Sequence, residues 1–312
     1  MYLRKIILVA ILLLMFSICL LGCENWSRVK GIKERGKLEE EPTLRVKMGD
    51  GSIRKLKLEE YITGVVAGEM KNNWPIDAYG AQAIIARTFA LEFLEENDTD
   101  TISGEFEYAQ EYKPEAVTPE IRKGISNTRG EVVLYKDEYI KGWFHASAGG
   151  QTTSAKVGLA YEKAEPPYIK SVKSPDHLAP SDVKNWSVYL GNKEIEEALK
   201  KMGKNIGELL EINYGRKDKT GRIINLEFEG STGSATVKAA NFRKQLDPKK
   251  LKSIKIDSIE KMENGFQFKG SGFGHGVGLS QWGAYAFAED NKSPEEIVKY
   301  YFNNVDIVKV YD

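Results

Sequence analysis

No stretch limits this chain as sharply as Gly270–Gly278, where five glycines occupy alternate positions, Gly270, Gly272, Gly274, Gly276 and Gly278. The run is not a phosphate loop, because no Gly-Lys-Ser/Thr follows it, and it lacks the spacing and the βαβ surroundings of a dinucleotide fingerprint. Glycine at period two predicts a strand with one bare face, against which another chain or a sugar can lie. His275 then stands in a crowded, small-walled site. The plainer alternative is a tightly packed core strand holding one satisfied histidine.

The start of the chain sets the compartment. Arg4 and Lys5 precede an uncharged, mostly aliphatic run from Ile6 to Cys23. A basic start followed by an apolar run predicts export, and its length is borderline for a span, which needs roughly 20 apolar residues. It ends in Leu20-Leu21-Gly22-Cys23, which resembles a bacterial lipobox. The resemblance implies cleavage before Cys23 and lipidation of its thiol, anchoring the protein to the outer face of the cytoplasmic membrane. An uncleaved anchor helix is the alternative. Cys19 and Cys23 are the two cysteines of the chain, so the body beyond them has neither disulfide nor thiol chemistry. Residues 24–42 read as a charged tether.

The 45 Lys and Arg against 45 Asp and Glu leave no net charge. That balance speaks against a dedicated nucleic-acid binder. A hydrophobic content of 41% speaks against disorder. Leu44–Met48 and Ile53–Leu58 flank Gly49-Asp50-Gly51, a hairpin pattern. Helical spacing predicts helices over Glu59–Met70, Ile76–Glu95, Lys193–Leu210 and Leu279–Glu289. The second of these turns Ala78, Ala81, Ile84, Ile85, Thr88 and Phe89 inward. Glu131–Ile140 predicts a hairpin turning at Lys136-Asp137, and Ile223–Glu229 with Ser234–Ala239 a strand pair. Strands and helices mix without a βαβ rhythm, which predicts an α+β fold, one large domain with a substrate groove.

Two further places carry chemistry. Glu69 lies four residues after Val65, seven after Ile62 and eleven after Leu58, so its carboxylate falls on the apolar stripe of its own helix. Partial desolvation there favours the protonated acid, as general acid–base catalysis requires. An exposed glutamate at a fraying helix end is the alternative. Arg87, flanked at helical spacing by Ala83, Ile84 and Leu91, either faces inward as a carboxylate's partner or snorkels outward. Glu59 and Glu60 read as surface residues. In Trp143–Gly150, His145 and Ser147 share a face if the segment is a strand. A Ser–His hydrolase is conceivable, but no Gly-x-Ser-x-Gly elbow is present.

Three segments together carry a family resemblance. Gly64-Val65-Val66-Ala67-Gly68-Glu69-Met70, followed by Trp74-Pro75, Ala81-Gln82-Ala83 and Ala86-Arg87-Thr88-Phe89-Ala90, resembles the opening of the stage II sporulation protein D (SpoIID/LytB) family. Phe144–Thr152 resembles its middle motif, and Gly274–Ala284 its closing one. The resemblance covers nearly all of the body, 43–312, which it marks as the catalytic domain. It implies a peptidoglycan lytic transglycosylase acting on denuded glycan strands, with Glu69 as the catalytic acid and base. It also implies that Arg87, Gln110, Tyr112, His145, Ser147, His275, Ser280 and Gln281 surround the substrate, and that no cofactor is needed. Some members bind zinc through Cys and His just before the Gln-x-Tyr segment. Residues 100–109 contain neither, so no metal is expected. The same family includes proteins regarded as amidase modifiers, which leaves a non-catalytic wall-binding partner as the second reading. A Ser–His esterase is the third.

Overall fold

The computed structural model describes residues 37–105 and 110–312. The export segment, Cys23 and most of the tether lie outside the described residues. Among those described, no helix is long and apolar enough to cross a membrane. The fold is α+β, as the pattern predicts. It divides into two compact units interleaved in sequence: the first comprises the described residues up to Asn72, Ala86–Lys141 and Asp306–Asp312, and the second Asn73–Ile85 and Gly142–Val305.

In the first unit, β1 (Thr43–Lys47) pairs antiparallel with β2 (Ile53–Lys57). Gly51, at φ +81°, makes the turn between them, and the Asp50 carboxylate accepts the Ser52 amide hydrogen at 2.9 Å. The chain then enters α1 (Leu58–Glu69), buried along most of its length, and α2 (Ile76–Glu96), within which the division between the units falls. Its inward residues are as expected, except that Phe89 is only partly buried and stacks on Phe93. β3 (Thr101–Ser103) joins β1 in parallel. The N-terminus of α3 (Pro119–Asn127) is capped by the Thr118 hydroxyl, which accepts the Ile121 amide hydrogen. β4 (Glu131–Tyr135) and β5 (Glu138–Tyr139) form the predicted hairpin. Lys136 and Asp137 both sit at positive φ, 51° and 64°, the conformation a two-residue hairpin turn demands. The strand Asp306–Lys309 pairs antiparallel with β4.

The second unit is built around β6 (Phe144–His145), the short helices α4 (Ala155–Gly158) and α5 (Ser181–Lys184), β7 (Trp186–Gly191) and α6 (Asn192–Lys201). β8 (Leu209–Tyr214), β9 (Asn225–Gly230) and β10 (Gly233–Lys238) form an antiparallel sheet. After α7 (Ala239–Leu246), β11 (Ile256–Met262) and β12 (Gly265–Gly270) make a second antiparallel sheet with β7. Phe228, Phe242, Phe266, Phe268, Leu190 and Leu199 belong to the core shared by these sheets and helices. β13 (Leu279–Ser280), α8 (Gln281–Glu289) and α9 (Pro294–Tyr301) complete the unit.

Three expectations need correction. The helix expected over Lys193–Leu210 ends at Lys201, because Gly203 takes φ +73° and stops it; Leu209 already begins β8. The last predicted helix starts at Gln281, not Leu279, because the Ser280 hydroxyl caps it by accepting the Gly283 amide hydrogen. The alternating glycines do not form a strand. Only Gly270 lies in one, and Gly272, Gly274, Gly276 and Gly278 all adopt positive φ, between 73° and 107°. The segment coils through left-handed turns that side-chain-bearing residues enter at a cost.

That coil is enforced by contact. A Cβ on Gly278 would run into the Trp143 carbonyl oxygen, and one on Gly276 into the Arg222 guanidinium. Gly278→Ala should therefore lower stability by at least about 1–3 kcal/mol, the cost of a strained backbone before the clash is counted. Gly233→Ala, where no atom lies within 4 Å of the added Cβ, should stay within about 0.5 kcal/mol of the parent. Chemical denaturation of the two variants checks the contrast.

Candidate active site

Glu69 is the last residue of α1 and is partly buried. Its position depends on two glycines on the same helix. A Cβ on Gly64 would overlap the Tyr112 ring, and one on Gly68 the Glu111 carbonyl. Their absence lets the segment 110–113 lie directly on α1, where the Lys113 amide donates to the Gly64 carbonyl at 2.9 Å. The same contact places the Glu111 amide so that it donates to Glu69 Oε1 at 2.9 Å. Tyr112 stacks on Tyr61 with ring centroids 5.8 Å apart. The Tyr61 hydroxyl donates to Gln110 Oε1 at 3.4 Å, and Gln110 Nε2 has no partner among the described residues. The Glu111 carboxylate pairs with Lys113 at 2.7 Å. The first motif and the Gln-x-Tyr segment thus form one assembly around Glu69.

Arg87 faces inward and is wholly buried. Its Nε and Nη2 donate to the two carboxylate oxygens of Glu59 at 2.9 and 2.8 Å, and Nη1 donates to the Glu131 carbonyl at 2.7 Å. Glu59 also accepts the Gly130 amide hydrogen at 3.0 Å and the Tyr311 hydroxyl at 2.5 Å. Reading Glu59 as a surface residue is therefore wrong: it is a buried anchor in the first turn of the helix that ends in Glu69. Burial alone would raise its carboxyl, but the charge and hydrogen bonds of Arg87, with those of Tyr311 and Gly130, hold it below its ordinary value.

In the second unit, the middle and closing motifs are brought side by side. β6 and β13 pair in parallel, Phe144 with Leu279 and His145 with Ser280, and Ser147 bridges to Phe273. Asp176, which no sequence pattern marks, ties the two together. Its Oδ1 accepts the Ser174 and Ser280 hydroxyls at 2.7 and 2.8 Å. Its Oδ2 accepts the Ser147 hydroxyl and the Gly150 amide, both at 3.1 Å. Arg222, wholly buried, donates to the carbonyls of Gln151 and Ala148, each at 2.8 Å. Burial pulls its guanidinium down to about 10.

His145 Nδ1 lies 3.1 Å from the Val277 carbonyl oxygen, and the Val277 amide donates to His275 Nδ1, also at 3.1 Å. The two rings stand 5.4 Å apart. Burial, aided by the Arg222 charge, lowers His145 to about 3. His275, a partly accessible residue, is held well below its ordinary value by desolvation and by His145. Both are neutral at neutral pH. The Ser147 hydroxyl is bonded to Asp176 and His145 Nδ1 to the backbone, so the Ser–His pair required of an esterase is not formed.

Arg87, Gln110, Tyr112, His145, Ser147, Ser280 and Gln281 are all buried. His275 and Glu69 are partly accessible. Among the described residues, no three His, Cys, Asp or Glu side chains cluster so as to hold a metal ion.

A family model described as Stage II sporulation protein matches residues 48–135, and one described as a domain of unknown function matches 173–278. An uncharacterized protein of Brachyspira hyodysenteriae is 31% identical over 264 residues, 82% of this chain and 68% of that protein. Stage II sporulation protein D of Bacillus subtilis is 28% identical over 276 residues, 82% of this chain and 76% of that protein. The protein named Amidase enhancer of Bacillus subtilis is 26% identical over 288 residues, but the alignment covers only 39% of its length. An α+β chain with these relatives falls in the class of the stage II sporulation proteins. The chain is a member of the SpoIID family.

Proposed function

We propose that this protein is a peptidoglycan lytic transglycosylase, with residues 43–312 acting outside the cytoplasm and held at the membrane by a lipid on Cys23. The observation that supports it most is the placement of Glu69: at the end of α1, partly accessible, and held through one carboxylate oxygen by the Glu111 amide. A group that gives up a proton and takes one back must be reachable by the substrate and held in place, and Glu69 meets both needs.

Glu69 protonates the oxygen bridging N-acetylmuramic acid to N-acetylglucosamine, and the glycosidic bond breaks with oxocarbenium-like charge at the muramic acid anomeric carbon. The sugar's own acetamido group assists. Glu69, now a carboxylate, takes the proton of the 6-hydroxyl as that oxygen closes on the anomeric carbon, leaving a 1,6-anhydro end. No second carboxylate and no water are consumed. Glu59 is committed to four hydrogen bonds and Glu111 is paired with Lys113, in keeping with a scheme in which Glu69 serves as both acid and base. Mass spectrometry of stem-peptide-free strands incubated with the protein should find anhydro ends. Reducing ends would mean hydrolysis instead.

A second reading, as a modifier of a wall amidase, is supported by the relative that bears the name Amidase enhancer. Intact strands together with a stimulated amidase would favour it.

A further inference from the structure

The closing motif and the residue after it carry two aromatic side chains, Trp282 and Tyr285, to which the acid–base reading gives no role. Trp282 and Tyr285 are three residues apart on α8 and therefore share a face. Both are partly exposed, whereas the other residues from Gln281 to Ala288 are buried. Trp74, itself buried, props both rings: its centroid lies 4.6 Å from that of Trp282 and 5.0 Å from that of Tyr285. The two outer rings are 5.5 Å apart and inclined at 60°. The Trp74 amide donates to the Tyr79 hydroxyl at 2.9 Å, and the Trp282 amide to the Ala146 carbonyl at 3.0 Å. Both indoles are thus fixed at the backbone as well as at the ring.

We propose that Trp282 and Tyr285 form a stacking platform for a neutral pyranose ring of a glycan, an N-acetylglucosamine unit, and that this is a binding subsite of the second unit. Rings already locked in place give up little conformational freedom on binding. A pyranose presents a flat face of C–H groups that suits an aromatic surface, with its hydroxyls left around the rim. An uncharged sugar suits the surroundings: no Asp, Glu, Lys or Arg occurs from Gly270 to Ala288 or from Asn72 to Pro75, and the Asp176 carboxylate packed beside α8 is taken up by Ser174, Ser280, Ser147 and Gly150. The choice of a glycan rests on the proposed function, but binding here does not require that Glu69 act.

The test uses the full chain carrying Glu69→Gln, which prevents turnover, and the N-acetylglucosamine tetramer as probe. Calorimetry should detect binding. Trp282→Leu and Tyr285→Leu should each weaken it by about ten-fold or more, and Trp282→Phe by less than about three-fold, in keeping with the modest worth of a single aromatic contact. In the protein with its aromatic residues unaltered, the Trp282 indole resonance should shift on titration, a readout independent of how the variants fold. No binding of the tetramer, unchanged affinity in a folded Trp282→Leu, or an indole signal that stays still while the tetramer binds would each overturn the platform. Unimpaired tetramer binding by Trp282→Leu, with anhydro products from the same substitution in the chain that retains Glu69, would do so while leaving the proposed function intact.

Discussion

Glu69→Gln should reduce glycan cleavage by about 10²–10⁴-fold, the usual contribution of a positioned acid or base. The glutamine keeps the size of the side chain and retains an oxygen to accept the Glu111 amide hydrogen. The fold should therefore be preserved, and the melting temperature should move little. The substitution removes the proton the leaving oxygen needs, and the base that would later take one from the 6-hydroxyl. Because both half-steps depend on one group, any anhydro product that still forms should accumulate at that reduced rate. Quantifying anhydro ends per strand over time checks the size of the loss. A variant with parental cleavage would remove Glu69 from the chemistry and require another residue as the acid.

Arg87→Leu should have the largest effect on stability. It leaves the Glu59 carboxylate buried with its charge partner gone, and breaking a buried pair in this way costs about 3–5 kcal/mol. Typical total stabilities are about 5–15 kcal/mol, so a large part of the fold's margin disappears. Acid pH should reveal the cause. Glu59 in the parent titrates below its ordinary value of 4.5. Its contribution is therefore fully present above that value and is lost as the pH falls through the depressed one. In Arg87→Leu, burial acts unopposed by the guanidinium, and mild acid relieves the variant by neutralising the carboxylate. The difference between parent and variant should be wide at pH 7 and narrower at pH 4, as read from urea unfolding. The double variant Glu59→Met/Arg87→Leu should be more stable than Arg87→Leu alone, since no isolated charge then remains in the interior.

The sequence left Arg87 open: apolar neighbours at helical spacing allow an inward face, but long cations more often snorkel outward. Its partner was not legible, because Glu59 stands next to Glu60 at a helix start, where acidic residues are common for reasons of the dipole alone. Only long-range pairing with Gly130 and Tyr311 separates the two. The hairpins and the first two helices followed from local patterns that the tertiary structure did not override. The glycine run misled, because period two is shared by strands and by coils that place every second residue at positive φ. Asp176 lies outside the three motifs and gathers serines from distant parts of the sequence, so no local signal marks it. The aromatic trio likewise joins Trp74 to residues more than two hundred positions away.

The order of strands around β4 has a consequence for biogenesis. The unit that carries Glu69 takes its last strand from Asp306–Lys309 and its Tyr311–Glu59 bond from just beyond it. Every residue of the second unit lies earlier in the chain than these. A polypeptide emerging from its N-terminus cannot finish the Glu69 unit until the whole of the other has emerged. Domains ordinarily fold as units while synthesis proceeds; here the half that the chain begins first is the last it can close, and that timing is written into the strand order.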